Sequence, residues 1–161
     1  MKFYSKFFSI LLFLLVFSNS SNLLAKRAAI IIDYDTQKVL FEVNADTLNY
    51  PASLTKIMTL YIVFDLLEKN EMSWNTKMRV SDVAASRSPS KLYLEEGSYI
   101  SVEDAVMALI VKSANDVATV VAENISGSER EFAKLMTKYG KNIGMQQTTF
   151  KNASGLPNRA Q

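Results

Sequence analysis

Histidine and cysteine are both absent from the 161 residues. Without histidine there is no Ser-His-Asp triad, no Cys-His pair and no histidine-built zinc site. Without cysteine there are no thiolate nucleophiles, disulfides or iron–sulfur ligands. Hydrolytic chemistry is therefore left to Ser, Thr, Lys, Asp, Glu or Tyr. Glycine (5) and proline (3) are scarce, which argues against a disordered or collagen-like chain. An excess of one charge is also missing. Lys2 and Lys6 are the only charges in the first 25 residues, and without them 16 basic residues face 16 acidic ones. With no basic cluster, nucleic acid is not an expected partner. What remains, 48% hydrophobic and 21% charged, is an ordinary composition for one folded domain.

The first segment reads as an address. Lys2 and Lys6 precede an apolar run from Phe7 to Phe17, a polar stretch from Ser18 to Asn22, and Leu23-Leu24-Ala25. This is the order of a secretory signal peptide, with cleavage expected after Ala25. As a helix the run would span about 16 Å, against roughly 30 Å of hydrocarbon. The alternative is an uncleaved membrane anchor extending into Leu23-Leu24. Either reading predicts export, to the periplasm or the outer face of the cytoplasmic membrane.

The rest, residues 26–161, reads as a strand pair followed by helices. Ala28 to Asp33 holds three consecutive isoleucines and suits a buried strand. Asp35-Thr36-Gln37-Lys38 is turn chemistry, and Val39 to Val43 resumes the strand pattern, predicting a hairpin. Pro51-Ala52-Ser53 opens the most apolar helix, with Ile57, Met58, Leu60, Tyr61, Ile62, Val63, Phe64, Leu66 and Leu67 leaving no wide polar face. Such a helix is expected in the middle of a domain. Ser101-Val-Glu-Asp104 and Ser128-Glu-Arg-Glu131 resemble capping boxes before two amphipathic helices. Residues 114–125 put Val117, Val120, Val121 and Ile125 on one stripe, and Gly144 is an expected helix stop. Thr148 to Lys151 suggests a short strand, and Ser154-Gly-Leu-Pro157 a loop.

With His and Cys absent, a serine nucleophile needs another base, and lysine is the known substitute. At a helix start, spacing i, i+3 places the serine at the positive end of the dipole and the lysine one turn later on the same face. Ser-x-x-Lys occurs twice, at Ser53–Lys56 and Ser88–Lys91. Chance alone predicts roughly one match, so context decides. Ser88 and Lys91 flank Pro89 in a polar stretch that reads as a solvated loop. Ser53 and Lys56 open the apolar helix. They are either an N-cap serine with a snorkelling lysine, or a nucleophile with its base.

Lys112-Ser113-Ala-Asn115-Asp116 stands at a helix junction. Ser113 and Asn115 either cap the following helix or supply a proton-relaying hydroxyl and a substrate-binding amide. The chain has no Gly-x-Gly-x-x-Gly and no Walker lysine loop. Asp33 with Asp35, and Glu95 with Glu96, read as solvated turns, so no metal is expected.

Together, Pro51-Ala-Ser-Leu-Thr-Lys-Ile-Met-Thr59, Val111-Lys-Ser-Ala-Asn-Asp116 and Asn152-Ala-Ser-Gly-Leu-Pro157 resemble the D-alanyl-D-alanine carboxypeptidases, low-molecular-weight penicillin-binding proteins of the serine β-lactamase and transpeptidase superfamily. The resemblance implies an α+β fold, a helical subdomain plus an antiparallel sheet. It implies Ser53 as acyl-enzyme nucleophile, Lys56 as general base, Ser113 as proton relay and Asn115 as substrate-binding amide. The implied substrate is the D-Ala-D-Ala end of a peptidoglycan stem peptide, with β-lactams as inhibitors and no metal or organic cofactor.

One departure matters. The third signature of this superfamily, Lys-Thr-Gly, is absent from these 161 residues. By resemblance, its strand binds the substrate carboxylate and supplies one oxyanion-hole N–H. The chain is therefore expected to be the N-terminal portion of a catalytic domain, with only its first strands and helical part present. It should be slow to acylate, with Lys56 staying protonated at neutral pH for want of the covering strands and the third-motif lysine. The alternatives are a non-catalytic remnant that at most binds muropeptide, or a serine β-lactamase. The latter lacks a visible deacylating glutamate here.

Overall fold

The computed structural model describes residues 27–158, so the signal-peptide expectation lies outside the described residues. They fall into two units, divided between Asn49 and Tyr50.

The first unit holds the predicted hairpin, β1 (Ala29–Ile32) against β2 (Val39–Val43). The strands are antiparallel, pairing Ala29 with Val43 and Ile31 with Phe41, and the register shifts between Ile31 and Ile32. The turn is closed by Asp33, whose Oδ1 accepts from Thr36 N at 2.9 Å. The expectation of a buried strand is not met. Ile30, Ile31 and Ile32 are 46–54% exposed, because a two-stranded ribbon has no layer of its own to cover either face.

The second unit is built on helices. A single 3₁₀ turn (Ala52–Leu54) runs into α1 (Thr55–Glu68). Then come β3 (Lys77–Arg79), the short α2 (Asp82–Ala85), β4 (Tyr99–Ser101) and α3 (Val102–Met107). A π-helical segment (Ala108–Lys112) leads to α4 (Asn115–Ser126) and α5 (Glu129–Asn142). β3 and β4 form a second antiparallel pair with Met78 opposite Ile100. Their alternation, Lys77-Met-Arg-Val80 with Met78 and Val80 buried, is too short for the strand pattern to stand out in sequence.

The serine half of each expected capping box forms. Ser101 Oγ accepts from Asp104 N and Ser128 Oγ from Glu131 N, giving orphan N–H groups a partner. Gly144, at φ +93°, follows the end of α5. Ser81 is a third cap, its Oγ accepting from Ala84 N at 3.0 Å.

The centre is α4, not α1. Every residue from Asn115 to Ala122 is buried. Its small Ala, Val and Thr side chains let α5, α1, α2 and β3 approach from several directions. α1 buries only the stripe Thr55, Lys56, Met58, Thr59, Ile62 and Val63, while Ile57, Tyr61 and Phe64 stay 44–62% exposed. Its apolar composition had placed it in the middle of the domain. Burial follows which face meets a neighbour, and the outer face of α1 meets few among the described residues. Thr148–Lys151 is not a strand. Phe150 N donates to Thr137 Oγ1 of α5 at 2.9 Å, and the Phe150 ring is buried, so a helix side chain takes the place of a partner strand. The residues after it form the predicted loop. Among the described residues, no helix is long and apolar enough to cross a membrane.

Candidate active site

Ser53 sits in the 3₁₀ turn and Lys56 in the first turn of α1. Three residues per turn bring positions i and i+3 to one side. Both line an open cleft of about 520 Å³, together with Ser113 and the apolar residues Leu54, Ile57, Leu60, Leu109 and Ile110. The structure thus brings three of the four expected residues to one surface. Asn115 stands behind them.

Lys56 is 3% exposed. Its Nζ donates to Asn115 Oδ1 and to the carbonyl of Ser154, each at 2.8 Å. It makes no ion pair among the described residues. Burial holds its ammonium below the ordinary lysine range, because desolvation disfavours the charged form. Among the described residues Lys56 therefore has surroundings that lower its pKa without the Lys-Thr-Gly strand. Asn115 and the 152–157 loop already enclose it.

The hydroxyls of Ser53 and Ser113 make no hydrogen bond among the described residues, and Ser53 is exposed to the cleft. Ser113 occupies the left-handed region at φ +54°, where the π-helical segment ends. It does not cap α4. The N-cap is Ala114, without a side-chain cap bond. The positive φ, uncommon for a residue with a Cβ, turns the chain so that Ser113 lines the cleft while Asn115 begins the next helix.

Asn115 is held from several sides. Its Nδ2 donates to Ser88 O at 3.0 Å, and its backbone N donates to Ser90 O at 2.7 Å. The neighbouring Asp116 is fully buried, and its carboxylate accepts from Leu92 N and Leu94 N. The second Ser-x-x-Lys stretch is therefore a loop, as read, but one bound to this junction through its carbonyls. Its own Ser88 and Lys91 form no site. Lys91 Nζ donates to Ala85 O and lies over the Tyr93 ring.

The Asn152–Pro157 loop closes the other side. Asn152 Oδ1 accepts from Ser154 N and Gly155 N, and Asn152 Nδ2 donates to Leu156 O. Ala153 O accepts from Thr59 Oγ1 at 2.8 Å. Sequence reasoning quoted this stretch but missed its role, which is carried by backbone carbonyls.

This geometry meets close parallels. The sequence profile described as D-alanyl-D-alanine carboxypeptidase matches residues 16–161. The chain belongs to the D-alanyl-D-alanine carboxypeptidase family. It is 40% identical over 130 residues to D-alanyl-D-alanine carboxypeptidase DacF of Bacillus subtilis, covering 81% of this chain and 33% of that protein. A crystal structure of the carboxypeptidase DacD from Francisella tularensis superposes with a TM-score of 0.79 at 41% identity, over 81% of this chain and 32% of that one. Penicillin-binding protein D2 from Listeria monocytogenes, solved in its ampicillin-bound form, gives 0.73 at 33% identity, over 83% and 54%. The α+β expectation holds, with helical part and antiparallel strands present as a portion of the family fold. The chain spans about a third of the length of the curated relatives it matches.

Proposed function

We propose that this chain carries the nucleophile-bearing part of a serine D-Ala-D-Ala carboxypeptidase acting on peptidoglycan stem peptides. The observation that supports this most is the placement of Lys56, a dry lysine with two acceptors, beside a serine whose hydroxyl has no hydrogen-bond partner among the described residues, in an open cleft. A neutral amine has two N–H bonds and one lone pair. With Asn115 and Ser154 occupying the N–H bonds, the lone pair is left to take a proton.

In this reading Ser53 Oγ attacks the carbonyl carbon of the penultimate D-alanine, and Lys56 takes the hydroxyl proton. The tetrahedral species collapses with cleavage of the C–N bond. Ser113 relays a proton to the departing D-alanine amine, and water then hydrolyses the ester on Ser53. Asn115 holds Lys56 through its Oδ1, and the family resemblance gives it the further role of holding the substrate amide. A β-lactam would enter by the same attack on its ring carbonyl, as the ampicillin-bound Listeria relative suggests. No metal or organic group has a part. Residues 1–25 would direct export as a cleaved signal peptide, and residues 26–161 would form an incomplete catalytic domain.

The test is to graft this chain in place of the matching third of the Bacillus subtilis relative and add labelled penicillin. The adduct is expected on Ser53 and lost in Ser53→Ala. Mapping to residues 86–92, or labelling that survives Ser53→Ala, would overturn the assignment. N-terminal sequencing of exported protein should begin at Lys26, and Met1 on that form would favour the membrane anchor.

A further inference from the structure

The two acceptors that hold Lys56 are themselves held, and both trails lead to one ion pair outside the cleft. Glu129, the first residue of α5, accepts from Ala153 N at 3.1 Å through Oε1, while its Oε2 pairs with Arg87 Nη2. The next carbonyl along that loop, Ser154 O, is the one that receives Lys56. On the other side, Arg87 Nε donates to Thr119 Oγ1 at 2.9 Å, and Thr119 Oγ1 donates to Asn115 O at 3.3 Å. Asn115 is the second acceptor of Lys56.

We propose that the Arg87–Glu129 pair positions the Lys56 amine, with Glu129 as the positioning residue that fixes the Ser154 carbonyl against it. Neither residue lines the cleft, so both act through others. The pair is only 29% and 14% exposed, so solvent and salt screen it weakly. The loop it holds has no strand or helix of its own. Side-chain bonds therefore decide where its carbonyls stand. Those bonds come from Glu129, Thr59, Asn152 and Ser154, and from Lys56 itself.

The inference rests on the reading of Lys56 as the base, but its test needs no acylation. Around Lys56, α4 presents Asn115, the loop presents Ser154, and the cleft presents Ser53 and Ser113. The charges that flank Asn115 in sequence are Lys112, exposed, and Asp116, whose carboxylate accepts from Leu92 N and Leu94 N. Freeing the loop at Ala153 would draw one acceptor away and admit water to Nζ. Its titration would then move up toward the ordinary lysine value of about 10.4.

The experiment follows the Lys56 Nζ resonance against pH in the full chain labelled with [15N]lysine. Glu129→Ala is expected to raise the midpoint by about one unit or more. Glu129→Gln keeps an oxygen that can accept from Ala153 N, and should move it by less than half as much. Asp65→Asn, which removes the charge paired with Lys69 and leaves Lys69 and Tyr139 only a neutral amide oxygen, should lower stability and leave Lys56 unmoved. If Glu129→Ala does not fold, Glu129→Asp, which draws the carboxylate back by one methylene, carries the same prediction. An unchanged Lys56 midpoint in the folded variant, or an equal shift in Asp65→Asn, would overturn the proposal. A chain that shows the shift, grafted into the Bacillus subtilis relative and never labelling there with penicillin, would refute the proposed function and leave the positioning intact.

Discussion

Gly155 lies directly on the carbonyl of Ala52: a Cβ at Gly155 would fall 1.8 Å from the Ala52 oxygen and 2.4 Å from its carbon. Gly155 also sits at φ +81°, and Ala52 itself at φ +49°. The loop that receives Lys56 and the turn that presents Ser53 are therefore in backbone contact, with no side chain between them. Gly155→Ala is expected to cost about 3 kcal/mol, because a backbone clash cannot be relieved by a rotamer change. Urea denaturation checks the cost. A variant as stable as the parent would mean that the loop does not bear on this turn.

The lowered pKa of Lys56 has a consequence for stability. In the unfolded chain lysine titrates near 10.4, and in the folded chain it titrates lower. Between the two values the unfolded state binds more protons, so this residue makes folding more favourable as pH rises through that window. Below it, the folded chain carries the cost of a buried ammonium. Against Lys56→Met, the parent should therefore gain relative stability as pH rises from 7 towards about 10. Denaturation of both proteins at several pH values measures this, and a constant difference would show that Lys56 titrates normally.

The helix caps should report individually. Ser128→Ala removes the acceptor for Glu131 N and is expected to cost about 1 kcal/mol. Ser101 also donates to Asp104 Oδ2 at 2.5 Å and is buried, so Ser101→Ala should cost more, about 1.5–2 kcal/mol. Equal, near-zero effects would place both serines outside the stability of their helices.

Acylation of the 161-residue chain by labelled penicillin should be slow. Lys-Thr-Gly is absent from it, and one missing oxyanion donor alone lowers rate by about 10²–10³. The burial of Lys56 changes the ground of this expectation. The Lys56 amine is held by Asn115 and Ser154, and what the chain lacks is positioning and charge stabilisation of the substrate. Comparison with the chimera under the same conditions gives the ratio. Rapid, stoichiometric labelling of the 161-residue chain that depends on Ser53 would show that this surface suffices.

The sequence by itself determined what acts over short distances. The hairpin, both N-cap serines, the end of α5 at Gly144 and the i, i+3 placement of Ser53 and Lys56 follow from backbone periods and local hydrogen bonds. Tertiary structure decided how Lys56 is held. Its acceptors lie 59 and 98 residues further along the chain. One of them is a backbone carbonyl, a group every residue has and no motif distinguishes. It also decided burial. The same apolar residues that suggested a covered β1 and a central α1 are open where no layer meets them, while the less conspicuous α4 is enclosed. Composition records that a surface is apolar, and only packing determines whether something covers it.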